Sequence, residues 1–114
     1  MTPAAPLEIG PTDVSYLLER PGARTFRLID CREDDEWHIC HLPDAVLVPL
    51  SRFGELAPQH FTNTQEHLII YCHHGMRSQR AAQWLRQNGF AQAQSMRGGI
   101  DAWADMVDPE VPRY

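Results

Sequence analysis

Leu68-Ile69-Ile70-Tyr71-Cys72-His73-His74-Gly75-Met76-Arg77-Ser78-Gln79-Arg80-Ala81-Ala82-Gln83-Trp84-Leu85-Arg86-Gln87-Asn88-Gly89-Phe90 is the segment on which the fold of this chain turns. Leu68 to Tyr71 is a short apolar run of strand length, rich in residues that suit a buried strand. Helix-favouring residues run from Ser78 to Asn88, with Ala81, Ala82 and Leu85 on one face. Gly89 stands where a left-handed residue closes a helix, and Phe90 follows where its apolar contact is expected. A strand that enters a helix through so short a loop is half of a parallel βαβ unit.

The same alternation continues on both sides. Upstream, Leu7 and Ile9 suit a first strand, and a helix starting at Gly10-Pro11 carries Asp13 in its first turn and a Val14, Leu17, Leu18 stripe. Pro21-Gly22 ends that helix. Phe26 to Ile29 reads as a strand closing at Asp30, Glu33 to His38 as a helical turn, and Val46 to Val48 as a buried strand stopped by Pro49. Ser51 is placed to cap a short helix through Leu56. Downstream, Gln94 to Met96 is a weak strand and Gly99 to Met106 a last helix. The fold class is therefore α/β, a central, mostly parallel five-stranded sheet with helices on both faces. In such sheets sites collect beyond the carboxyl ends of strands. Asp30 and Cys72 stand at two such ends.

With 114 residues, a single domain over 1–114 is expected. The formal charge of −5 excludes the basic footprint of a nucleic-acid binder. Apolar runs stay far short of a membrane span, and MTPAAPLEIG lacks the basic and apolar regions of an export signal. Three cysteines, an odd count, suit free thiols in a cytoplasmic setting.

The chemistry points to Cys72. Gly75 permits a tight curve or a positive φ, so successive N–H groups of the loop can converge on one anion. The helix that follows adds the positive end of its dipole. Both favour a thiolate, and Arg77 with His73 or His74 would strengthen the bias. A thiolate so held can take sulfur from a small anionic donor such as thiosulfate, store it as a persulfide, and pass it to a thiol or cyanide.

Residues 72–77, Cys-His-His-Gly-Met-Arg, resemble the C-x-x-G-x-R active-site loop of the rhodanese family. Asp30, Arg32, Glu36, Trp37, His41 and Ala45 are similar to the family's first signature, and Arg97-Gly98-Gly99-Ile100-Asp101-Ala102-Trp103 to its second. The resemblance implies the rhodanese fold, Cys72 as sulfur-accepting nucleophile, and a persulfide wrapped by His73, His74, Gly75, Met76 and Arg77. It further implies structural support from Asp30, Arg32 and Glu36, with Arg32 and Glu36 an ion pair beside the loop and Asp30 hydrogen-bonded to the loop. Trp103 would pack in the core, and Gly98-Gly99 would let the last helix approach closely. No cofactor and no metal are implied. Cys40 and Asp44 stand where the family favours glycine, which would strain the chain wherever φ must be positive.

Three other readings compete. Related phosphatases carry one more residue between cysteine and arginine; the shorter cradle here favours sulfur. A metal site from Cys31, Cys40, His41, Cys72, His73 and His74 lacks the C-x-x-C or H-x-x-x-H spacing of zinc ligands. A sulfur-relay module serving a sulfur-accepting protein, with little activity on free thiosulfate, has the same site and remains an alternative. Cys31 and Cys40, without a C-x-x-C pair, read as space-filling residues rather than resolving thiols.

Overall fold

Two strands whose side chains alternate between two apolar layers organise the molecule. In the computed structural model, which describes residues 3–114, β2 (Phe26–Asp30) and β4 (His67–Tyr71) pair in parallel along their full length, from Phe26 opposite His67 to Asp30 opposite Tyr71. Met1 and Thr2, which head the stretch read for an export signal and the 1–114 domain span, lie outside the described residues. Odd and even positions separate cleanly. Ile29, Leu68 and Ile70 enter one core cluster, whereas Leu28, Ile69 and Tyr71 enter the other. A sheet buried on both faces needs such continuously apolar strands.

Three further strands complete the sheet: β1 (Glu8–Ile9), β3 (Val46–Leu47) and β5 (Ala93–Met96). Their order is β1-β5-β4-β2-β3, and every pairing is parallel. Helices α3 (Phe53–His60) and α4 (Met76–Gln87) cover one face through Phe53, Ala57, Ala81, Ala82 and Leu85. Helices α1 (Pro11–Glu19) and α5 (Gly99–Met106) cover the other through Val14, Ile100 and Trp103. The short α2 (Asp34–Ile39) lies between β2 and β3. Among the described residues no helix is long and apolar enough to cross a membrane.

The differences from expectation are local. α4 begins at Met76 rather than Ser78, because Gly75 takes the capping position with φ 105°. Ser51 does not cap a helix; it sits in a 3-10 turn, Leu50–Arg52, and donates its hydroxyl to Glu33. α3 runs past Leu56 to His60 despite Pro58, since burying Ala57 and Phe61 outweighs one missing helical hydrogen bond.

Beyond β2 the chain turns toward β3, and beyond β4 it turns the opposite way toward β5. A crevice opens where adjacent strands send their connections apart. The start of α5 closes it from one side. Ile100 N donates to Cys72 O at 2.8 Å and Asp101 N to His73 O at 3.0 Å. Gly99, at φ 62°, is required there, because a Cβ would collide with both of those carbonyl oxygens. Gly99→Ala should therefore destabilise the fold by about 2 kcal/mol or more, read as a lower urea midpoint, through left-handed strain plus the clash.

Candidate active site

Cys72 follows β4 directly and its sulfur is turned into the loop. Sγ accepts the N–H of Gly75 at 3.0 Å and that of Ser78 at 3.3 Å, and it lies 3.5 Å from Ser78 Oγ. Ser78 Oγ is itself held by Gly75 O at 3.2 Å and Ser95 Oγ at 2.7 Å. The Cys72 and His73 carbonyls are tied to α5, and no peptide among the described residues is cis, so the His73 and His74 N–H groups face away from α5. The residue is only 1% exposed, a sulfur at the floor of the loop.

Its thiol is pulled down to about 5. The Cys31 thiol beside it contributes most, followed by the Ser78 hydroxyl and the Ser78 and Gly75 amides, against burial, which opposes ionisation. Cys31 is pushed well upward in turn by Cys72 and by burial. One proton is thus shared unequally, with Cys72 as the thiolate and Cys31 as the thiol.

The arginines do not occupy the positions expected of them. The Arg32–Glu36 ion pair is not formed. Arg32, fully buried, is gripped by Asp30, with Nε to Oδ1 at 2.9 Å and Nη2 to Oδ2 at 2.6 Å; it also donates to Cys40 O at 2.6 Å and Tyr114 Oη at 2.8 Å. Asp30 is two residues away on the same strand end, so its carboxylate meets the fork before any other acid can. Its side chain holds Arg32 rather than the loop. Glu36 instead accepts a bidentate pair from Arg77, at 2.6 and 2.8 Å, and a hydrogen bond from Tyr114 Oη at 2.7 Å. Arg77 foremost, with Tyr114 and the Glu33 N–H, holds the Glu36 carboxyl at about 2. The Arg77 cation expected to favour the thiolate is therefore committed to Glu36.

His73 is stacked between His74 and Tyr114, with ring centroids 3.9 Å apart on each side. Burial and the neighbouring His74 lower its basicity. His74 is largely exposed and Met76 is 75% exposed at the loop rim. Ligand atoms of His73, His74 and Asp101 lie within 4.8 Å of one another, the set among the described residues that could hold a metal ion. It is not the thiol-rich set considered from sequence, and Asp101 is already paired with Arg113 at 3.0 Å. A surface cavity of 320 Å³ lies away from Cys72, between α3 and α4 beside Trp84.

Sequence reading did not find Ser78, Ser95 or Tyr114. A hydroxyl in the first turn of α4, three residues past Gly75, is a legible signal for Ser78. Nothing local announces Ser95 or Tyr114, which reach the loop through the fold.

Of the two departures from glycine, Cys40 has φ −169°, extended backbone that any residue adopts, so no strain arises there. Asp44 does take φ 65°, and its carboxylate meets Arg24 at 3.1 Å. Aspartate is among the residues that tolerate this conformation best.

The family model described as Rhodanese-like domain matches residues 11–106. Rhodanese-like/PpiC domain-containing protein 12, chloroplastic, of Arabidopsis thaliana is 38% identical over 90 residues, covering 77% of this chain and 30% of that protein. Adenylyltransferase and sulfurtransferase MOCS3 of the same plant is 31% identical over 133 residues, covering 96% of this chain and 29% of that protein. The chain thus spans less than a third of the length of either relative. Among solved structures, a rhodanese-like domain protein from Staphylococcus aureus matches with a TM-score of 0.76 at 26% identity, covering 88% of this chain and 93% of that one.

Three outcomes follow from the charges. Thiolate absorbance, taken as wild type minus Cys72→Ser, should titrate near pH 5. Because the folded pKa lies below the unfolded value of 9.0, the unfolded chain binds the extra proton between those limits. Wild type should gain stability relative to Cys72→Ser as pH rises from about 5 to 9 and lose it on acidification. Asp30→Asn, which leaves the buried Arg32 charge uncompensated, should cost about 3 kcal/mol in chemical denaturation.

Proposed function

The chain belongs to the rhodanese-like domain family, and from that membership we propose that residues 1–114 act as one sulfurtransferase domain in which Cys72 carries sulfur as a persulfide. The observation that carries this reading is the pair of amides, from Gly75 and Ser78, aimed at a depressed-pKa sulfur. The thiolate attacks the outer sulfur of thiosulfate or a similar donor. The donor's S–S bond breaks, and sulfite departs with the bonding electrons. An acceptor such as cyanide or a thiol then attacks the terminal sulfur and returns Cys72 to the thiolate. Gly75 and Ser78 hold negative charge on the Cys72 sulfur before the first step and after the second, so little reorganisation is needed.

His73, His74, Gly75, Met76 and Arg77 form the wall around the transferred sulfur in this reading. Arg77 acts as a positioning residue, since its charge is balanced by Glu36. Asp30, Arg32 and Glu36 hold the surroundings of the loop in place. Donor attraction then rests on the start of α4 and the loop amides, not on a free arginine. With Cys72 1% exposed, side chains around the loop must part before a donor touches the sulfur.

A sulfur-accepting protein is the alternative acceptor, favoured by Met76, an apolar side chain 75% exposed at the loop rim where a partner would dock. Sulfur moved faster to a carrier protein than to cyanide would establish that form of the activity.

Treatment with thiosulfate, followed at once by intact-mass measurement, should show one added sulfur that cyanide removes as thiocyanate. Cys72→Ser should take up none while keeping its melting temperature within a few degrees of wild type at about pH 5, where the thiolate adds no stability and little volume has changed. Sulfur retained by the serine variant, or none on wild type, would overturn the assignment.

A further inference from the structure

Sulfur transfer through Cys72 uses Cys31 only as a neighbour that helps ionise the nucleophile, yet the fold sets the two cysteines side by side. In the β2–β4 ladder Asp30 lies opposite Tyr71, and Cys31 N donates to Tyr71 O at 3.0 Å. Cys31 and Cys72 are the next positions on the two chains. Their side chains share a face, because Ile29, Cys31, Ile70 and Cys72 all belong to one core cluster while Leu28, Ile69 and Tyr71 belong to the other. Neighbouring strands stand about 4.8 Å apart. A disulfide spans Cα separations of about 4.4 to 6.8 Å. Cys31 is fully buried, so no external thiol competes for its place. Cys40 is on the other side of the sheet, among the second cluster, with Sγ toward Pro112 O at 3.6 Å.

We propose that Cys31 is a resolving thiol that turns the Cys72 persulfide into a Cys31–Cys72 disulfide and releases hydrosulfide, a second exit for bound sulfur when no acceptor arrives. The inference rests on the persulfide reading above. In the thiolate state Cys72 keeps the Cys31 proton in place. Once sulfur is added, the negative charge moves to the outer sulfur and the Cys72 sulfur becomes an electrophile. The Cys31 sulfur bonds to it, and the bond to the outer sulfur breaks with its electron pair. The Cys31 proton leaves on that sulfur as HS⁻. The outer sulfur is reduced to sulfide while the two thiol sulfurs are oxidised to the disulfide. A dithiol reductant, small or carried by a protein, reopens the bridge and closes the cycle. With such a dithiol present, the protein acts as a reductase of sulfane sulfur.

The test uses the full chain, reduced and kept free of oxygen, with one equivalent of thiosulfate and no acceptor. Wild type should release hydrosulfide, lose two hydrogens in mass, retain one alkylatable thiol of its three cysteines, and regain all three with dithiothreitol. Cys31→Ser and Cys31→Ala, loaded at alkaline pH to offset the lost Cys31 donor, should keep the added sulfur and release hydrosulfide roughly tenfold or more slowly, since the Cys31 thiol is gone. The two variants guard against a polar or a packing artefact at a buried position, and Cys40→Ser should release hydrosulfide as fast as wild type while retaining no alkylatable thiol. If the persulfide on wild type lasts as long as on both Cys31 variants and no bridge forms, the resolving role is overturned while the Cys72 chemistry stands. If neither wild type nor any Cys31 variant takes up sulfur, both readings fall together.

Discussion

The in-register pairing of β2 with β4 is the constraint from which the rest of the molecule follows. It fixes which side chains enter each core cluster, and a slip of one residue would exchange them all. It also brings the carboxyl ends of the two strands together, Asp30 beside Tyr71, at the place where their connections diverge. Cys72 is therefore positioned by the hydrophobic partition of the whole sheet. The loop after it only has to turn its amides inward, and Gly75 and the α5 start accomplish that by tying two carbonyls away from the sulfur.

The electrostatics of the site belong to main-chain dipoles more than to side-chain cations. Around the loop runs a chain of partners: Asp30 to Arg32, Arg32 to Tyr114, Tyr114 to Glu36, Glu36 to Arg77. Each arginine faces a carboxylate and is locally neutralised. Such a network stiffens the wall of the site, because a buried ionic group that loses its partner is costly. It leaves stabilisation of the thiolate to the Gly75 and Ser78 amides, the Ser78 hydroxyl and the Cys31 thiol. These donors are short-range and fixed, and so are little weakened by salt, unlike exposed charges.

Tyr114 joins parts of the chain that are far apart in sequence. Its hydroxyl bridges Arg32 and Glu36 while its ring lies parallel to that of His73, with centroids 3.9 Å apart. The segment around it thus lies against the wall of the site and against the loop at once. Pro112 meets Cys40 and Arg113 meets Asp101 in the same stretch.

The sequence alone carried the layered α/β architecture, the strand ends that bear Asp30 and Cys72, and the glycine that shapes the loop after Cys72. These features rest on local rules: apolar runs of strand length, helical spacing of Ala81, Ala82 and Leu85, and the freedom of Gly75 to take positive φ. Pairings between side chains were a different matter. The family resemblance implies an Arg32–Glu36 pair, yet the strand end gives Arg32 to Asp30 and leaves Glu36 for Arg77. Cys31 read as a space-filler because no neighbouring thiol lies near it along the chain; only the register of two strands separated by more than thirty residues sets it against Cys72. Local backbone preference is written residue by residue, whereas the partner of a charge or a thiol depends on which strands become neighbours, and that is decided when the two core layers close.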